Sequence, residues 1–165
     1  MISTTCVFSL RLPIGIAPRF ICDWGHSDAF GLLFAYGAKS NVFIYQVTSN
    51  DEQLNADDSV KNSGSGVKVW FFAQLVRGKR DRRVTAVQFV TDSTGELRLV
   101  CGGEEGSVQI WDVAALTMIE QHRKHKAEVT AVAVSGILDA NVVVAGDRQG
   151  RISVWERDTY VLFNV

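Results

Sequence analysis

Apolar residues in this 165-residue chain fall in short runs broken by Gly, Asp and Ser, with no sustained helical periodicity between them. Val84–Val90, Leu97–Gly102, Ser107–Val113 and Leu116–His122 read as four successive strands. Asp92-Ser93-Thr94-Gly95 and Glu104-Glu105-Gly106 supply turns between them, the glycines allowing positive φ. The set then recurs as Val129–Ser135, Asn141–Ala145, Arg151–Glu156 and Tyr160–Val165. Val84-Thr85-Ala86-Val87 returns as Val129-Thr130-Ala131-Val132, 45 positions on, while Gly106 returns as Gly150 and Trp111 as Trp155, 44 positions on. Such a period, with Trp-Asp or Trp-Glu closing the third strand, is the signature of a β-propeller blade.

An earlier, blurred blade is recoverable. Gly37 to Val47 lays over Gly102 to Val113 and puts Tyr45 at the place of Trp111. Phe20–Trp24 and Leu32–Tyr36 read as its inner strands and Val67–Leu75 as its outer one, with a polar, acidic, Gly/Ser-rich insertion over 49–66. The predicted fold is therefore all-β: a WD40-type propeller segment of about three four-stranded blades, an incomplete ring, since rings normally need about four to eight. Residues 1–17 read as a poorly ordered lead-in, and 18–165 as a partial propeller with blades over 18–75, 83–122 and 127–165. Trp111 and Trp155 are core residues, Asp112 completes the Trp-Asp pair, and Gly102-Gly103 and Gly146 read as turns. Many such blades are locked by a hydrogen-bonded His, hydroxyl, Asp and Trp. His125 and Trp155 supply two members in the last blade, but Ala145 sits at the expected hydroxyl position, and Lys79 stands where the middle blade's His would be. These blades are thus expected to lean on packing, because a buried polar chain lacking members loses more than its parts.

The formal net charge of −1 gives no global pull towards nucleic acid, so any such pull must be local. Cys6, Cys22 and Cys101 are scattered and read as thiols of a reducing compartment, with neither disulfide nor metal site. The apolar N-terminus lacks a basic start and is interrupted by Arg11 and Pro13, unlike a signal peptide. No apolar run reaches the length of about 18 residues that spans a membrane. His26, His122 and His125 pair with no candidate nucleophile, and no phosphate-cradling loop precedes a helix, so neither enzyme nor cofactor is expected.

Charge is distributed unevenly. Arg77-Gly78-Lys79-Arg80-Asp81-Arg82-Arg83 connects one blade's outer strand to the next blade's inner strand, and His122-Arg123-Lys124-His125-Lys126 is the next connection of that kind. Propeller geometry puts both on one face, joined by Lys39, Arg148 and Arg151, with Glu104 and Glu105 also present; Asp51, Glu52, Asp57 and Asp58 lie on the other. Such a face suits either solubility or phosphate tracking. Stacking on Phe20 or Trp24 would strengthen the second use, though both also read as core.

Pro18-Arg19-Phe20-Ile21-Cys22, then Ser27-Asp28-Ala29 and Gly31 to Phe43, together with Val108-Gln109-Ile110-Trp111-Asp112-Val113 and Glu120-Gln121-His122, resemble the gem-associated protein 5 family. These are RNA-recognising subunits of the survival-of-motor-neuron complex, and the similarity covers about Pro18 to Glu156. The resemblance implies fused propellers that bind U-rich single-stranded small nuclear RNA and deliver it for Sm-core assembly. It also implies survival-of-motor-neuron complex proteins and the remaining blades of a longer chain as partners, in the cytoplasm and in nuclear bodies. A Trp-Tyr pair stacks bases in that family; Phe20 falls at the Trp and Ile21 at the Tyr, which leaves half of the platform. The family's cap pocket comes from later blades and is not expected here. Phe20 would stack, and Lys79, Arg80, Arg82, Arg83, Arg123 and Lys124 would contact phosphates, on the evidence of charge alone. The alternatives are a propeller scaffold that binds only proteins, or a truncated chain without function.

Overall fold

The computed structural model describes residues 21–49, 67–92, 94–135 and 142–155, and the backbone alone of 156 and 159–164. Among the described residues, twelve strands form three antiparallel sheets. The first blade holds β1 (Cys22–Ser27), β2 (Gly31–Ala38), β3 (Asn41–Ser49) and β4 (Val67–Val76). The middle blade holds β5 (Val84–Thr91), β6 (Leu97–Gly103), β7 (Val108–Asp112) and β8 (Thr117–His122). The last holds β9 (Val129–Ser135), β10 (Val142–Asp147), β11 (Arg151–Glu156) and β12 (Thr159–Asn164). Strand order follows the chain within each sheet, and the blades stack in sequence as an open arc of the WD40 propeller type. Phe20, the lead-in and residues 50–66 of the expected insertion lie outside the described residues, while Ser49 belongs to β3.

Strand alternation divides each sheet into two working faces. Leu33 and Ala35 of β2 and Val42 and Ile44 of β3 meet Val84, Phe89, Leu99, Cys101 and Trp111 of the middle blade. On that blade's other side, Val100 and Val108 meet Val129, Val143, Ala145 and Trp155. Strand β6 is therefore covered on both faces, which is why its sequence runs almost unbroken through Leu99-Val100-Cys101 rather than alternating with polar residues. Trp111 and Trp155 are core residues, as the sequence indicates.

Gly102 and Gly146 lie within strands, not in turns. Their role is close approach. A Cβ on Gly37 would stand 2.6 Å from Val84 Cγ1, and one on Gly102 would stand 2.5 Å from Val129 Cγ1. Each glycine thus receives the first side chain of the next blade's inner strand. True turn glycines recur one period apart at Gly106 (φ 82°) and Gly150 (φ 80°). Replacing Gly102 by Ala forces Val129 or its strand to shift, with an expected loss of about 1–3 kcal/mol. Urea titration of the variant against the parent chain measures it.

Candidate functional site

The connections 77–83 and 123–128 lie side by side, as the sequence predicts, but Arg77, Arg83 and Arg123 are paired with carboxylates of the fold. Arg77 is buried. Its Nε donates to Gln109 Oε1 at 2.9 Å, Nη1 to the Arg82 carbonyl at 3.1 Å, and Nη2 to Ser107 Oγ at 2.7 Å and Glu105 Oε1 at 2.5 Å. The other Glu105 oxygen accepts from Arg82 N at 2.8 Å. Gln109 Nε2 donates to Asp81 Oδ2 at 2.8 Å, and the second Asp81 oxygen accepts from Arg123 Nη2 at 2.5 Å. Trp111 Nε1 closes the array on Gln109 Oε1 at 3.3 Å.

This array corrects the expectation that Lys79 replaces the middle blade's His. The residue one period before His125 is Asp81, and Lys79 is exposed. Gly103 stands one period before Asp147, and a Cβ there would collide with the Arg77 guanidinium and the Glu105 carboxylate. Removal of one carboxylate position thus makes room for an arginine arriving from the preceding connection, and the two ion pairs leave the array neutral.

The last blade uses the more familiar arrangement, and its hydroxyl comes from Ser153, not from the position held by Ala145. His125 Nδ1 lies 3.0 Å from Asp147 Oδ2, and Nε2 lies 2.6 Å from Ser153 Oγ. An ionised Asp147 accepts only, so Nδ1 donates to it. Burial pushes the Asp147 carboxyl upwards, but hydrogen bonds from His125 and from the amides of Arg151 and Gln149, with the Arg151 charge, outweigh it and hold the group below its ordinary value. Glu105 behaves alike: burial raises it, while Ser107, Arg82 N and Arg77 bring it below the usual range. Trp155 Nε1 is buried without a hydrogen-bond partner among the described residues, so this chain stops at Ser153.

The remaining cations sort into two groups. Arg83 reaches Glu128 at 3.4 Å and Glu104 at 3.7 Å. Arg148 reaches Glu128 at 3.7 Å, and Arg151 donates through Nε to Asp147 at 2.8 Å. Lys79, Arg80 and Arg82 are exposed and carry no side-chain ion pair among the described residues; Lys124 is exposed as well. Asp112, placed with Trp111 from sequence, accepts from Ala115 N at 2.8 Å and pairs with Arg98, which makes it a turn-holding residue. Trp24, offered as core or as a stacking platform, is 54% exposed on the outward face of the first blade. Cys101 is buried and free, and burial pushes its thiol up to about 11. What sequence reading missed is Arg77, and the signal was the simultaneous change of three repeat positions: His125 to Asp81, Asp147 to Gly103 and Ser153 to Gln109.

Truncating Arg77 to Ala leaves Glu105 without its counter-charge, with an expected cost of about 3–5 kcal/mol. Lys at 77 is expected to restore little of it, since a single ammonium cannot serve four acceptors set around a planar guanidinium. Because Asp147 and Glu105 titrate below their unfolded values, the stability they contribute is present above those values. It is lost as pH falls below 4.5, the ordinary value for glutamate, and on through the folded-state values. Urea midpoints measured from pH 6 down to about 3 should fall less steeply for Glu105→Gln than for the parent chain.

No protein-family model matches the chain. It is 25% identical over 97 residues to Protein ROOT INITIATION DEFECTIVE 3 of Arabidopsis thaliana, covering 59% of this chain and 22% of that protein. Among solved structures, a chain of Chaetomium thermophilum Polycomb Repressive Complex 2, in a humanized mutant form with the inhibitor GSK126, superposes with a TM-score of 0.63 at 14% identity. That match covers 84% of this chain and 28% of the other. BBS1N in complex with ARL6DN gives a TM-score of 0.62 at 14% identity, covering 88% of this chain and 43% of the other. The chain thus spans well under half the length of each of these proteins, and at such identities the structural likeness is one of fold: three blades of a WD40-type propeller.

Proposed function

We propose that this propeller segment is a docking scaffold within a larger assembly, and that the tip of the 77–83 connection meets an acidic protein surface. The observation that carries this reading is the segregation of charge. Lys79, Arg80 and Arg82 are exposed and carry no ion pair among the described residues, whereas Arg77, Arg83, Arg123, Arg148 and Arg151 are engaged by carboxylates of the fold. A phosphate track needs cations in series along a groove. Here Glu104 and Glu128 interrupt the series. Solved neighbours taken with partner proteins, BBS1N with ARL6DN among them, support a scaffold role. The reading assigns the chain no catalytic step.

Recognition of a U-rich small nuclear RNA, in the manner of the gem-associated protein 5 family and its survival-of-motor-neuron partners, is the second reading. The same exposed trio favours it, with Lys124 beside them and Phe20 as the stacking residue. The two readings separate in one experiment on the parent chain and a variant carrying Lys79→Glu, Arg80→Glu and Arg82→Glu. The scaffold reading expects the variant to lose proteins that co-purify from nuclease-treated extract, while both chains bind a U-rich strand weakly. Tight RNA binding by the parent, with a log–log salt slope of about −2 that the variant abolishes, would replace it with the RNA reading.

A further inference from the structure

The two interfaces between blades are built on corresponding residues, yet only the first is filled. Strand registers place Leu33, Phe72, Ala73 and Phe89 of the first interface at the positions of Arg98, Ile119, Glu120 and Val134 of the second. In the first, the Phe89 ring lies so close to Gly25 that a Cβ there would stand 2.6 Å from it. Phe72 meets Phe30 edge-on, with ring centroids 5.1 Å apart. At the places of those two rings the second interface carries Ile119 and Val134. A cavity of about 210 Å³ remains between the middle and last blades, lined by Val100, Ile110, Ile119, Val134, Val143 and Trp155. Ile119 is 53% exposed, whereas Phe72 is half-buried. This groove lies within the arc, between two blades that are already in contact.

Three features define what can enter it. The volume is below the roughly 300–1,000 Å³ of sites that house a drug-sized ligand, and suits a single large side chain. Strand β8 ends its sheet, so its outer main-chain N–H and C=O groups pair with no strand among the described residues. An extended segment laid along such an edge turns alternate side chains towards one face of the sheet. The mouth, finally, is acidic. Asp92 and Glu120 line it, and Arg98 draws Glu96 and Asp112 in beside Asp92. Four carboxylates thus face one guanidinium and the His122 ring, which lies 2.7 Å from Glu120.

We propose that this groove receives an extended, basic segment of a partner protein, which pairs along β8 and seats one large apolar side chain between the blades. Lysine or arginine on either side of that residue meets the carboxylates of the mouth, which repel an acidic segment. The site lies at the far end of β5 from the 77–83 connection and does not rest on the reading given to that connection.

Fluorescence anisotropy of short labelled peptides, titrated with the full chain at physiological ionic strength, tests the proposal. A peptide of lysines and arginines around one central leucine is expected to bind about tenfold or more tightly than the same peptide with a central serine. Replacing its basic residues by glutamate should abolish binding. Val134→Phe places in the second interface the residue that fills the first, so it is expected to remove the preference for leucine while leaving the urea midpoint no lower. Glu120→Lys, at the rim, is expected to weaken the basic peptide without touching the apolar lining, and decides the matter should Val134→Phe fail to fold. Equal binding of the leucine and serine peptides, which marks charge attraction alone, overturns the proposal. So does binding indifferent to both substitutions, or a parent chain that binds neither peptide, as when its own residues 136–141 occupy the groove.

Discussion

Everything in this arc depends on two backbones coming close enough for a valine side chain to rest on a glycine. Val84 on Gly37 and Val129 on Gly102 set the spacing between blades at the inner strands. That spacing decides which loops become neighbours. Arg123 reaches Asp81, and Arg83 reaches Glu128, only because successive blades are held at this distance and in this register. The hydrophobic layers on either side of β6 then fill the remaining space. Packing comes first, and the polar arrays are fitted to the gaps that it leaves.

Two blades solve the same problem with different chemistry. Both need to satisfy polar groups near the start of the inner strand, where burial makes an unpaired donor or acceptor costly. The last blade does so with an imidazole, from the connection that leads into it, held between a carboxylate and a hydroxyl. The middle blade uses a guanidinium from the connection that leads into it and a carboxamide that bonds on both sides. The first solution braces a blade internally, whereas the second also ties in Arg123 from the following connection and so holds neighbouring blades together.

Much of the architecture was legible in the chain because a repeat is read twice. Val84 and Val129, Gly106 and Gly150, and Trp111 and Trp155 each confirm the other, and strand alternation follows from them. The site was legible only as charge. A count of cations in 77–83 does not distinguish Arg77, buried among four acceptors, from Arg80, which is open to water. The difference lies in acids distant in sequence, Glu105 and Glu128, brought in by folding. Ser153 was passed over for a related reason: the hydroxyl was sought at Ala145 on β10, when the residue facing the imidazole stands beside it on β11. The glycine seats escaped because a glycine beside a strand end reads locally as a turn, and only the facing blade reveals its purpose.

The Arg77 array also constrains how this sequence can drift. Gly103, Arg77 and Glu105 share one volume, since any side chain at 103 collides with both charged groups. A carboxylate restored at 103 would face Glu105 and find no imidazole at 81 to receive it. Each single step back towards the last blade's arrangement therefore passes through a less stable protein. Substitutions at these positions should be inherited together, so that in a set of homologous chains residue 103 reports the identity of residues 77, 81 and 109.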